Sequence, residues 1–177
     1  MPSASPKALL IIDMQHGLLR GPHVPFAADA VLSNINQLIA RARSAQAPIY
    51  AARHVGPEDS PFAAHSPLTQ LVAGLAIAPA DVVFEKRYPN CFRDTQLLTA
   101  LQAAGIKELV LVGMKTEFCV DTTCRAAADL GFRVVLIQDA HTSVDNGLLT
   151  AEQIIAHHNQ TLAGPFVQLA ETATYAF

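Results

Sequence analysis

Three residues of complementary chemistry, Asp13, Lys86 and Cys119, each stand where an apolar run ends. Cys119 lies in Glu108-Leu-Val-Leu-Val-Gly-Met-Lys-Thr-Glu-Phe-Cys119-Val-Asp-Thr-Thr. Leu109 to Val112 reads there as a buried strand, Gly113 to Thr116 as a tight connection and Phe118 to Leu130 as a helix. In the first turn of that helix, unpaired amides and the positive end of the dipole would favour a thiolate, which is a nucleophile's position. A cysteine also packs as a small apolar residue, so position alone leaves catalysis and packing as even alternatives. Asp13 closes Ala-Leu-Leu-Ile-Ile12 and Lys86 closes Asp-Val-Val-Phe-Glu85, and either charge alone reads as a solvated strand exit. Together a thiol, a carboxyl and an ammonium at one edge are chemically complementary, which weakens coincidence as the explanation.

The elements that must position them alternate in type along the chain. Strands are expected over Ala8 to Asp13, Ile49 to Arg53, Asp81 to Lys86, Glu108 to Gly113, Arg133 to Gln138 and Phe166 to Glu171. Helical spacing covers Asp29 to Gln46, Leu68 to Gly74, Asp94 to Ala104, Phe118 to Leu130 and Leu148 to Ala163, with Gly105 and Gly131 placed as C-caps. Repeated βαβ units of this kind predict an α/β fold in one domain over 1–177. It would be a three-layer α/β/α sandwich around a mostly parallel six-stranded Rossmann-like sheet. In such a sheet ligands bind outside the carboxyl ends of the strands, the edge that Asp13, Lys86 and Cys119 share. The stretch Gly56 to Pro67, with three prolines, is a loop long enough to shape a pocket.

Composition narrows the function classes. The chain has 177 residues, 51% of them hydrophobic, and a net charge of −3, enough for one large core. Basic and acidic residues are interspersed with no phosphate-tracking stripe, so nucleic acid is not an expected partner. The start, Met1 to Lys7, lacks a secretory core, and no apolar run has membrane-spanning length, so no membrane partner and a cytoplasmic location are expected. Three cysteines, Cys91, Cys119 and Cys124, show no paired spacing and read as free thiols of a reducing compartment. The turn after the first strand, Asp13-Met-Gln-His-Gly17, is not a glycine-rich phosphate loop, which disfavours a nucleotide-binding module.

The order and spacing of several segments resemble the isochorismatase-like cysteine hydrolases, which include nicotinamidases and related amidases. These segments are Leu-Leu-Ile-Ile-Asp13-Met-Gln15, Phe84-Glu-Lys86 followed by Phe92 and Thr95, and Gly113-Met-Lys-Thr-Glu-Phe-Cys119-Val-Asp-Thr-Thr123. Ala126-Ala-Ala-Asp-Leu-Gly131, Gln138-Asp-Ala140 and Ala156-His-His-Asn-Gln-Thr-Leu162 continue the pattern. The resemblance implies that Asp13, Lys86 and Cys119 are catalytic. It also implies an oxyanion hole from the backbone amides of Lys115 and Cys119, with a cis bond between Met114 and Lys115. On that reading a thioester forms at Cys119, Asp13 acts as acid and base in turn, and Lys86 lowers the thiol pKa. Relatives that form dimers or tetramers imply a homodimer or homotetramer acting on a small-molecule substrate.

Nicotinamidases of this group commonly hold a divalent metal through an Asp-x-His pair after the second strand. Here His54 and Gly56 stand in those places, so no metal and no cofactor are expected, with His54 and His65 left as loop residues or substrate contacts. A metal-dependent nicotinamidase and a non-catalytic interaction subunit remain the alternatives. Isochorismatases proper lack the nucleophilic cysteine, which sets Cys119 apart from that reaction. Gln15 would return to the Asp13 side of an extended chain and reach substrate or Lys86. Phe62, Tyr88 and Phe118 are candidate pocket walls, with core packing the equal alternative. Cys124 should face away and pack internally, and Cys91 lies near enough to Lys86 to touch substrate. His157-His158 reads as a structural hydrogen-bonding pair, and Asp139 as a residue that orders a turn.

Overall fold

The computed structural model describes residues 6–177; the stretch 1–5, part of the segment inspected for a leader, lies outside them. Six strands form one sheet: β1 (Lys7–Ile12), β2 (Ile49–His54), β3 (Val82–Lys86), β4 (Glu108–Met114), β5 (Arg133–Thr142) and β6 (Gln168–Ala170). The helices are α1 (His16–Leu19), α2 (Ala28–Ser44), α3 (Leu97–Ala103), α4 (Asp121–Asp129) and α5 (Ala151–Leu162). Strand order is β3-β2-β1-β4-β5-β6 and every pairing between these strands is parallel.

Alternation along the central strands divides the core between two layers. Leu9 and Ile11 of β1, with Val110 and Val112 of β4, meet Val31, Ile35, Leu38 and Ile39 of α2 on one face. Leu10, Ile12, Leu109 and Leu111 meet Leu97 and Leu101 of α3, Cys124 and Ala127 of α4 and Leu162 of α5 on the other. A strand covered on both faces needs an unbroken apolar run, which explains Ala8 to Ile12. Leu9, Leu10, Ile11 and Ile12 are wholly buried, and burial of each such side chain contributes roughly 1.5–3 kcal/mol.

After β1 the chain winds outward through β2 and β3, then returns across β1 to add β4, β5 and β6. The reversal lies between β1 and β4, so the crevice opens where these two strands end. Gly113 permits the close approach at this point: its φ is +120°, and a Cβ there would stand 2.1 Å from the Ile12 carbonyl oxygen.

Two helical expectations change. Leu68 to Gly74 forms no α-helix; a 3₁₀ turn at Pro67–Thr69 is followed by an extended strap in which Leu71 bridges to Gln15. Its apolar residues, including buried Val72, dock the strap on the core instead of forming a helix face. The helix expected over Phe118 to Leu130 is preceded by a π turn at Thr116–Val120 and becomes regular only from Asp121. The sixth strand is only three residues long, and α1 follows Asp13 where no helix is expected from the sequence. No helix among the described residues is long and apolar enough to cross a membrane.

Candidate active site

Asp13 leaves β1 in a left-handed conformation, φ +52°, which aspartate tolerates better than most residues. The turn points its carboxylate at Lys86, the last residue of β3 and its only buried one; Nζ stands 2.8 Å from Oδ2. Both side chains are almost entirely excluded from solvent. The same ammonium donates to Sγ of Cys119 at 3.3 Å and to the Tyr88 carbonyl at 3.2 Å. The crevice therefore brings together the three residues whose chemistry the sequence singled out, from the ends of β1 and β3 and from the turn after β4.

The turn that carries Cys119 is itself fixed. The amides of Phe118 and Val120, on either side of Cys119, both donate to the Lys115 carbonyl, and the Met114–Lys115 peptide is cis. Thr116 is tied to buried His141 of β5 at 2.9 Å, and the other ring nitrogen of His141 meets Asn159 Oδ1 of α5 at 2.9 Å. With Asn159 presenting an oxygen, Nε2 carries the proton and Nδ1 accepts from the Thr116 hydroxyl. Burial holds the His141 pKa down at about 4, so the ring stays neutral. His157 and His158 do make structural hydrogen bonds within α5, to Thr161 Oγ1 and the Ile154 carbonyl, and the neighbouring Asn159 is the residue that reaches the site's support. The signal available was His141 itself, a histidine close after the apolar run Val134 to Ile137.

The electrostatics differ from the expected activation of the thiol. Burial first, and then the Asp13 charge, push the Cys119 thiol up to about 12, against the opposing pull of Lys86. Burial also raises Asp13, although Lys86 opposes it. Burial pulls Lys86 down, but Asp13 and the two neighbouring cysteines outweigh it and the ammonium is held above its ordinary value. The Cys119 thiol is thus held protonated beside the Asp13–Lys86 pair, and a lowered pKa does not activate it.

Other expected site residues are placed differently. The Gln15 side chain is wholly buried and does not face the crevice. Its amide nitrogen donates to the carbonyls of His54 and Thr69 at 2.9 and 2.8 Å, and its oxygen accepts from the His54 amide at 2.8 Å. Its polar atoms are engaged in joining the end of β2 to the strap, which removes it from substrate contact. Tyr88 contributes its backbone carbonyl, while Arg93 covers its ring at 3.6 Å from the centroid. Phe62 rests on α1, where a Cβ at Gly17 would meet its ring at 3.0 Å. Phe118 is 54% exposed beside Cys119, so core packing does not account for it. Cys91, expected near substrate, is wholly buried in the core, as is Cys124. Asp139 does order a junction, accepting from the amide and hydroxyl of Thr172 at 2.9 Å.

The buried thiols carry a stability prediction. Burial pushes Cys91 from 9.0 up to about 12 and raises Cys124 as well. A group raised in the folded state stabilises fully below its unfolded pKa and loses that contribution as pH climbs to the folded value. Urea unfolding should therefore show stability falling between about pH 9 and 12, with Cys91 accounting for about 2 kcal/mol by about pH 10.5. Cys91→Ala should flatten the slope; an identical slope in that variant would contradict the assignment.

A metal centre does not fit this crevice. Among the described residues one cluster has metal-ligand spacing: Asp13, His54 and Cys119, with atoms within 4.8 Å of one another. The Lys86 ammonium already lies against all three, 3.5 Å from His54 Nδ1. Gly56 has no side chain, and a Cβ there would stand 2.7 Å from Ser60 Oγ, while His65 lies exposed on the loop.

Comparison with known proteins adds a lineage to this geometry. An Isochorismatase domain profile matches residues 7–163. A streptothricin hydrolase of Streptomyces noursei is 37% identical over 78% of this chain and 50% of its own length. The chain thus spans about half the length of that relative. Nicotinamidase 3 of Arabidopsis thaliana is 30% identical over 83% of this chain and 78% of its own. An isochorismatase crystal structure from Pseudomonas putida KT2440 superposes with a TM-score of 0.90 at 33% identity, covering 98% of this chain and 93% of that one. The matched span contains β1, β3 and the turn after β4, and the chain belongs to the isochorismatase family.

Proposed function

We propose that the chain is a cysteine-dependent hydrolase of a small amide or related carbon–nitrogen bond, acting through a thioester at Cys119. The observation that carries this reading is the buried Asp13–Lys86 ion pair set against a partly exposed thiol. The names of the relatives, a streptothricin hydrolase and a nicotinamidase, agree with hydrolytic chemistry.

In the proposed reaction Sγ bonds to the carbonyl carbon as its proton passes to Asp13. The amides of Lys115 and Cys119 hold the resulting oxyanion, and the Thr116–His141–Asn159 chain keeps their turn in place. Collapse breaks the carbon–nitrogen bond, and Asp13 returns the proton to the departing nitrogen. Water then attacks the thioester, giving one proton to Asp13; that proton returns to Sγ as the carboxylic acid leaves. Lys86 balances the negative charge as it moves between carboxylate, sulfur and oxyanion. Phe118 offers an exposed apolar wall beside the nucleophile. The acceptors around Lys86 and the close quarters at Gly56 favour this route over a metal-dependent nicotinamidase.

Assembly as a homodimer or homotetramer belongs to the same proposal, supported by the exposed apolar side chains of Val24, Phe118 and Leu148. Three free cysteines support a reducing, cytoplasmic setting.

Small amides, ureas and hydrazides should be screened for release of ammonia or amine, with mass spectrometry of the Cys119 peptide for an acyl adduct. Turnover lost in Cys119→Ala is the expected result. Neither product nor adduct across the set would favour a non-catalytic interaction subunit.

A further inference from the structure

Lys86 has three protons to donate and four partners around it: Asp13 Oδ2 in an ion pair at 2.8 Å, and the Tyr88 carbonyl at 3.2 Å, Cys119 Sγ at 3.3 Å and His54 Nδ1 at 3.5 Å as hydrogen-bond acceptors. The surplus exists only while sulfur can accept. Once Sγ is bonded to an acyl carbon it is a poor acceptor, and the ammonium proton that faced it must turn to another protein group, because the Lys86 side chain is itself excluded from solvent. His54 is the group left over. It stands directly opposite Lys86 in the β2–β3 register, and Gln15 holds both its amide and its carbonyl. A fully buried glutamine thereby fixes the position of the residue facing the ammonium.

We infer that His54 is a positioning residue for the hydrolysis proposed above: its Nδ1 takes the Lys86 proton that Sγ relinquishes on acylation. The inference rests on the amidohydrolase reading. An ammonium offers only donors, so Nδ1 is the acceptor and Nε2 carries the ring proton. Burial and the adjacent Lys86 charge both lower the His54 pKa, which keeps the ring neutral and able to accept. Without His54, the acylated site would leave the Lys86 ammonium to the Asp13 carboxylate and the Tyr88 carbonyl alone, whereas the resting site would keep Cys119 Sγ as well. The deficit is therefore confined to states in which sulfur is bonded to carbon, including the transition state that leads to them.

The test compares full-length wild type, His54→Leu and His54→Asn. Asparagine can restore an acceptor near the position of Nδ1; leucine cannot. Two rates are measured: alkylation of Cys119 by iodoacetamide, which bonds carbon to Sγ without any substrate, and kcat for an amide that the wild type turns over. His54→Leu should slow both by about tenfold or more with KM within about twofold, the scale of one unsatisfied buried donor. His54→Asn should recover both to within about threefold. If His54→Leu does not accumulate as folded protein, His54→Ala makes the same comparison. Unchanged rates in the leucine variant, or asparagine as slow as leucine, would overturn the inference. The two readings separate cleanly: no amide turnover by wild type, with the alkylation pattern intact, removes the amidohydrolase reading alone. Amide turnover indifferent to His54→Leu removes this one alone.

Discussion

Asp13→Asn should abolish amide turnover while making Cys119 easier to alkylate. In the proposed mechanism the carboxylate takes the thiol proton and returns it to the leaving nitrogen, and an amide can do neither. Loss of a general acid–base group costs about 10²- to 10⁴-fold in rate. The thiol responds in the opposite sense. The Asp13 charge is second only to burial in raising Cys119, and Lys86 opposes both. With the carboxylate neutralised, the ammonium 3.3 Å from Sγ acts unopposed by that charge and the thiol pKa falls. Each unit of fall means about ten times more thiolate at neutral pH. Iodoacetamide labelling of Cys119 should therefore accelerate by about tenfold at pH 7 in the variant that has lost turnover.

The same substitution has a folding consequence. Removing one partner of a buried ion pair costs about 3–5 kcal/mol because the other charge is stranded. Here the Cys119 thiolate can replace the carboxylate as counter-ion, so the loss should fall near the lower end of that range. Asp13→Asn with turnover within tenfold of wild type would end the assignment of Asp13 as proton carrier. Slower labelling would show that the carboxylate does not hold the thiol proton in place.

Gly113→Ala should be strongly destabilising, the added Cβ making the shortest contact of any described glycine. At φ +120° the added Cβ would stand 2.1 Å from the Ile12 carbonyl oxygen and 2.7 Å from its nitrogen. Both neighbours are backbone of β1, which is fully buried here and paired with β4 at this position, so no side chain can swing aside. The two central strands must part at the reversal point of the sheet, and a loss of more than about 4 kcal/mol is expected. Gly105→Ala is the comparison: its φ is also positive, +67°, but nothing lies within 4 Å. That variant should lose only about 1 kcal/mol, the conformational part of the effect. Urea midpoints of the two variants measure the contrast, and equal midpoints would mean that the β1–β4 contact at Gly113 is not rigid.

Legibility in the sequence followed burial. Ala8 to Ile12 and Leu109 to Val112 announce themselves because both faces of a central strand must be apolar, leaving an unbroken run that turn residues close. Leu68 to Gly74 misleads for the complementary reason: Leu68, Leu71, Val72 and Leu75 have helical spacing, but a short strap can bury the same residues by lying across α1 and Gln15. Periodicity reports which residues are buried, not what they are buried against. Gln15 shows the same limit at the site. Alternation correctly returns it to one side of an extended chain, yet the chain stops being extended at Asp13, and the side chain meets the end of β2 instead of substrate.

The sequence by itself determined the alternating α/β architecture, the strand-end positions of Asp13 and Lys86, and the strand-to-helix turn that carries Cys119. Those are consequences of local order, since apolar runs and their punctuation are written along the chain. Only the tertiary structure decided how the charges act on one another. Strand order places β2 between β1 and β3, so that His54 and Lys86 finish neighbouring strands and the ammonium acquires a fourth partner. Burial, which no short stretch of sequence encodes, then reversed the expected effect on the Cys119 thiol: Lys86 is close enough to lower its pKa, but exclusion of water and the charge of Asp13 outweigh it. Coulombic influence depends on distance and on the surrounding medium, and both are set by how the strands assemble.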